Sequence, residues 1–189
     1  IVNAHPVLLL QVFQSKDYEC PILDKYVNNR DAIFEEAYET CKLSRDNVKI
    51  LTMRIFYGGS VSAFCKEHKV DEQELPSIFH ELNKEMEGNT KELLNLNEML
   101  KYRMKACEEK GADYYNINGT AMAYFLQTLE CKCLMTMYEY LKEEGFTVGA
   151  LIHDGLHIQA KDTIKEVVLC DNITNEIYDK TGFLLDLKI

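Results

Sequence analysis

Proline occurs only three times in these 189 residues, which leaves little room for a proline-rich linker, and there is no internal repeat or low-complexity tract. No apolar run approaches the ~20 residues that cross a bilayer. The first residues also lack the basic flank, apolar stretch and small-residue cleavage site of a secretory signal. Basic residues are in deficit: 21 Lys and Arg stand against 31 Asp and Glu, a formal net charge of −10. Neutralised phosphate supplies most of the affinity of polyanion binders, so this total counts against nucleic acid as a partner. The cysteines number seven, and an odd count argues against a complete disulfide framework. Cys131-Lys132-Cys133 is half of a zinc site at most, because no second Cys or His pair stands at ligand spacing. These absences read as a reduced, intracellular protein with no membrane span.

What is present suffices for a core. At 47% hydrophobic, the chain can form one domain or two intimate subdomains. A strand end passes into a helix near Pro6, which fits a first helical turn where its missing N–H would be unpaired anyway. Helices follow over 31–41 and from the cap Ser44 to about Phe56, where Gly58-Gly59 stops the second. A short helix over 62–69 comes next, then one or two long charged helices over 72–109, broken at Gly111. Asn118-Gly119-Thr120 opens an apolar helix over 121–142, ended by Gly145. Alternating runs at 146–152 and 156–160 predict a hairpin, followed by a helix over 163–180 and a last strand over 183–189. The fold class is α+β, mostly helical, with a small antiparallel sheet.

Charge is uneven along the chain. Acids crowd 35–39, 71–98 and 139–144, whereas 42–54 holds four basic residues and one acid. A local basic stripe on an acidic body is therefore compatible with the total. The long acidic stretch reads as a solvated helical face along which DNA would not run.

Two segments carry chemistry. Ile152-His153-Asp154-Gly155 sits between the alternating runs, so a tight turn presents one carboxylate. Such a turn is either an ordinary surface feature or a holder for a divalent metal over a reacting phosphate. Arg45, Lys49, Met53 and Tyr57 recur every fourth residue and share one helical stripe. Two cations, a soft apolar side chain and a ring suit a nucleoside triphosphate; the plainer alternative is a solvated basic face. Tyr114-Tyr115 reads first as packing at a helix entrance, with base stacking as the alternative, and His157 as an ordinary strand side chain.

Together these segments resemble the family A polymerases. Arg45, Lys49, Tyr57 and Gly58 resemble motif B, the nucleotide-binding fingers helix, and His153-Asp154 resembles motif C. Asn118-Gly119-Thr120-Ala121 is similar to the Gln-Gly-Thr-Ala segment that opens the palm helix, with Asn replacing a Gln that touches DNA. Ile1-Val2-Asn3-Ala4-His5-Pro6 resembles the residues that follow the motif A Asp, which would then precede Ile1. The resemblance implies a polymerase palm over 1–20 and 112–189 and helical fingers over 21–111, part of a larger polymerase without thumb or exonuclease domain here.

The implied activity is template-directed nucleotidyl transfer, adding dNTPs to a primer 3′-hydroxyl with two Mg²⁺ ions as cofactors. Asp154 and the backbone of Ile1 would meet the metals, and His153 would lie near the primer terminus. Arg45, Lys49, Met53 and Tyr57 would take the nucleotide, Asn3 and His5 its sugar, and Asn118, Gly58 and His153 the DNA. The partners implied are DNA template-primer and deoxynucleoside triphosphates. Without the motif A Asp such a piece would be nearly inactive, since one lost metal ligand costs roughly 10³-fold or more in rate. Met53 and Gly155 depart from the DNA-polymerase pattern, which normally has an aromatic residue and Glu at these places. That profile suits atypical members from plasmids, viruses and mobile elements, and it leaves open an RNA-synthesising or primase-like relative, or a non-catalytic palm used for binding.

Overall fold

The computed structural model describes residues 1–152, 155–159 and 165–188. Helices dominate: α1 Ala4–Ser15, α2 Pro21–Asn28, α3 Arg30–Cys41, α4 Arg45–Phe56, α5 Val61–His68 and α6 Ser77–Leu94. A short 3₁₀ turn, Asn97–Met99, leads into α7 Leu100–Lys110 and then the long α8 Ile117–Glu143. Strands β1 Val148–Ile152 and β2 Gly155–Ile158 pair antiparallel, in the register Leu151↔Leu156 and Ile152↔Gly155. The last described helix is α9 Glu166–Thr181. The fold is α+β, mostly helical, with a small antiparallel sheet.

Local chemistry explains most boundaries. Ser44 Oγ accepts the Asn47 N–H at 3.3 Å and starts α4; Ser60 Oγ does the same for Ala63 at 3.1 Å and starts α5. Each satisfies one of the N–H groups that an opening helix leaves without a partner. The charged helices begin at Ser77, later than the sequence pattern suggests, because Pro76 holds the residue before it out of the helical region. Residues 71–74 form a turn instead, with the Gln73 N–H donated to Asp71 Oδ1 at 3.0 Å.

Three elements differ from the sequence reading. Residues 1–3, expected as a strand end, form no strand, and α1 begins directly at Ala4. Helix α2 begins with Pro21, and its next two N–H groups, of Ile22 and Leu23, donate to Glu85 Oε2 and Oε1 at 2.8 Å each. The described residues of 183–188 form no strand. Side chains occupy the backbone groups that a neighbouring strand would need: Gln11 Nε2 donates to the Leu184 carbonyl and Gln11 Oε1 accepts the Leu184 N–H, both at 2.8 Å. Thr174 Oγ1 donates to the Leu185 carbonyl at 3.1 Å, and one backbone bond joins the Val2 N–H to Asp186 at 2.8 Å.

The chain divides into two compact units, residues 1–11 with 126–189, and residues 12–125. The first buries Leu8, Leu9, Leu141, Ile177 and Leu185. In the second, Tyr26, Phe56, Phe64, Phe79, Leu82 and Met86 are fully buried or nearly so, and the Tyr26 and Phe56 rings meet edge to face at 6.0 Å. All seven cysteines are free thiols. Among the described residues no helix is long and apolar enough to cross a membrane.

Candidate functional site

Helix α4 forms as its spacing predicts. Val48, Leu51, Thr52, Ile55 and Phe56 turn inward, leaving Arg45 and Lys49 exposed and Met53 and Tyr57 half-buried along the opposite stripe. The two cations are already engaged. Arg45 reaches Asp31 Oδ1 at 2.7 Å and lies 4.9 Å from the Phe34 ring centre, and Lys49 Nζ is 3.0 Å from Asp46 Oδ1. The Arg45 guanidinium holds the Asp31 carboxyl below the usual carboxylate range. Arg54, off the stripe, pairs with Glu67 at 2.6 Å.

The C-terminal end of α4 meets the opening of α8. Tyr57 closes α4 by donating its N–H to the Met53 and Arg54 carbonyls, while its own carbonyl accepts a bond from Asn116 Nδ2 at 3.0 Å. Asn116 is also the cap of α8, since its Oδ1 takes the Gly119 N–H at 3.0 Å. Gly119 is obligatory here: a β-carbon on it would stand 2.0 Å from the Tyr57 carbonyl oxygen. Gly58, at φ +70°, turns the chain away in a conformation that side chains rarely adopt. Thus Tyr57-Gly58 and Asn118-Gly119-Thr120, read apart in the sequence, come together through Asn116.

This junction forms one end of an open groove of 940 Å³ within the unit 12–125. Gly58 and Asn118 line it, as do Asn83, Thr90 and Lys91 of α6 and Arg103 of α7. Glu72, His80 and Glu87 lie on it too, with His80 Nδ1 4.0 Å from Glu72 Oε1. Tyr114 and Tyr115 stand beside α8's start. Tyr115 is 90% exposed, so the expectation that this pair packs at a helix entrance is corrected for Tyr115. Arg45 and Lys49 do not line the groove; Lys49 lies about 12 Å along the α4 axis from Tyr57.

The remaining predicted residues belong to the other unit. Asn3 adopts φ +54°, which Asn tolerates better than most residues, and its carbonyl accepts the Val7 N–H at 3.2 Å at the start of α1. His5 Nε2 lies 3.3 Å from Glu130 Oε2, with its side chain 11% exposed. Ile1 is half-buried. His153 and Asp154 lie outside the described residues; the strands on either side of them are paired as far as Ile152 and Gly155. Among the described residues no three His, Cys, Asp or Glu side chains are grouped to hold a metal ion. Burial pushes the Cys20, Cys65, Cys133 and Cys170 thiols up from their ordinary range.

Asn116 and the α6 and α7 side chains were not singled out from the sequence. For Asn116 a signal existed: an Asn three residues before Gly119 is a helix-cap pattern. For Lys91 and Arg103 there was none, because both sit in a stretch that reads as solvated charge.

A Sputnik virophage protein, named provisionally as helicase V13, is 27% identical over 191 residues, covering 98% of this chain. The chain spans 23% of that relative's length. No family model and no solved structure matches. The relative is viral, in keeping with the profile read from Met53 and Gly155, and its name refers to a helicase and not to a polymerase.

Proposed function

We propose that this chain is the nucleotide-adding core of a protein that acts on nucleic acid, transferring deoxynucleotides to a primer 3′-hydroxyl under a template. The observation that carries the reading is the junction of Tyr57-Gly58 with Asn116 and Gly119. Asn116, 59 residues from Tyr57, links the two segments that resemble polymerase motifs through one set of hydrogen bonds. The relative's name adds weight to nucleic acid as the substrate class.

The roles follow from the side chains. Arg45 and Lys49 are exposed cations whose present partners are surface carboxylates; such pairs are weak, and a triphosphate can displace them. Charge developing on the phosphates would then be met by fixed positive groups. Tyr57, held at the end of α4, offers a ring to the base, and Asn118 offers an amide to the strand. Asp154 is assigned to Mg²⁺, which when bound would activate the hydroxyl and steady the leaving pyrophosphate, and His153 to the primer terminus. The described residues assemble no metal site of their own, so the assignment of Asp154 rests on the sequence motif.

The test is primer extension by the full-length protein with dNTPs and Mg²⁺. Asp154→Asn is expected to reduce incorporation by roughly 10³-fold or more while leaving strand binding intact. Incorporation that survives this substitution would remove the polymerase reading. A second reading, favoured by the relative's name, is a non-catalytic module that holds nucleic acid for an unwinding protein. It predicts no incorporation by the unaltered protein and strand binding that is indifferent to Asp154. Replacing dNTPs by rNTPs separates DNA from RNA synthesis.

A further inference from the structure

The groove in unit 12–125 gathers polar groups that the protein itself leaves unused. Asn83, Lys91, Arg103 and Asn118 line it, and among the described residues none of their side chains makes a hydrogen bond or ion pair. By contrast Arg45, Lys49 and Arg54 on α4 are each paired with a carboxylate.

Beside these groups stands the Tyr114-Tyr115 pair, with ring centres 4.6 Å apart and planes tilted by 51°. Tyr115 is 90% exposed, the most exposed large side chain of its kind among the described residues. A side-chain bond with Tyr115 pushes the Tyr114 phenol up from its ordinary range. Exposed rings beside free amides and cations are the equipment of a single-strand site. Every base has a face to stack, amides match base edges, and cations meet the backbone. The volume, 940 Å³, lies at the upper end of the ~300–1,000 Å³ range of compact ligand pockets, which leaves room for a short strand segment.

We propose that this groove receives a short unpaired stretch of nucleic acid, one base stacked on Tyr115 and its phosphates met by Lys91 and Arg103. The proposal rests on the nucleic-acid reading above and names the strand as its partner on that surface. The electrostatics set its character. Glu72 and Glu87 also line the groove, so it is not a continuous basic track. Two phosphate contacts give a shallow salt dependence, a slope of about −1.4 in log K against log salt.

The experiment is fluorescence anisotropy of a labelled single-stranded oligothymidylate and of a blunt duplex, with the unaltered protein, Tyr115→Ala, Tyr115→Phe and Lys91→Ala. Circular dichroism confirms that each variant folds, which the exposure of Tyr115 makes a mild demand. Tyr115→Ala is expected to weaken single-strand binding roughly tenfold or more, with Tyr115→Phe close to the unaltered protein. Lys91→Ala is expected to flatten the salt slope by about 0.7. Single-strand binding that ignores Tyr115→Ala would overturn the proposal, as would a much steeper slope, preference for the blunt duplex, or complete competition by a free mononucleotide. Nucleotide addition measured on the same preparations separates the two readings. Tyr115-independent binding with normal addition removes the groove proposal alone; Tyr115-dependent binding without addition removes the catalytic reading and leaves the groove.

Discussion

At the scale of single residues, the most consequential contact is the one between Arg45 and Asp31. Any phosphate that approaches Arg45 must first displace a carboxylate 2.7 Å away. Asp31→Asn removes that competitor and should tighten triphosphate binding by roughly two- to fivefold, measured by titration calorimetry with a non-hydrolysable nucleotide. The Asp31 carboxyl is depressed below its ordinary 3.8. A depressed acid contributes where it is charged, above the unfolded value, and the contribution is lost as pH falls through the folded one. Between about pH 5 and 8 the carboxylate therefore stays charged, and the gain from Asp31→Asn should not vary with pH. A gain that appeared only at one end of that window would mean that another group, not Asp31, competes for the site.

At the scale of elements, the sequence revealed what was local and hid what was distant. Helix α4 was legible because its cap, its inward apolar face and its glycine stop all lie within 44–59. The hairpin was legible because alternation and a turn are local patterns as well. Helix α2 was not, since the carboxylate that caps it is Glu85, 63 residues away from Ile22. The segment 183–188 has strand-like alternation, yet the Gln11 amide, 173 residues away, holds its backbone. The groove was hidden for a similar reason: charge that looks solvated on a linear α6 becomes one wall when α7 and the start of α8 supply the others. Glu85 gives the sharpest test of such distant caps. Glu85→Ala leaves two N–H groups of α2 without acceptors and removes a negative charge from a helix N-terminus. A loss of about 2 kcal/mol in urea unfolding is expected, with Glu85→Gln retaining part of it. No change on Glu85→Ala would mean that water replaces the carboxylate without penalty.

Taken whole, the molecule concentrates its order unevenly. In the unit 12–125, Leu51, Ile55, Phe79 and Leu82 have almost no exposure, while the two-stranded sheet of the other unit carries the exposed Leu151. A lone hairpin is marginally stable in water. Hydrogen exchange should therefore run at least about 100-fold faster at Leu151 than at Leu51 or Leu82. Equal protection would mean that the hairpin is covered by something that the described residues do not include. The acidic total, −10, acts at the same scale. It slows the approach of any polyanion, so the recognition proposed above depends on stacking and a few local cations more than on the field of the whole protein.

Two helical glycines have opposite freedom in sequence space. A β-carbon at Gly88 would meet nothing within 4 Å, whereas at Gly119 it would meet the Tyr57 carbonyl and the Asn116 amide at once. Every other amino acid carries that carbon, so position 119 has no neutral neighbour and cannot drift by small steps. A lineage can leave glycine there only by first rebuilding the end of α4. The junction is in that sense an inherited constraint, and divergence among relatives of this chain would run around it.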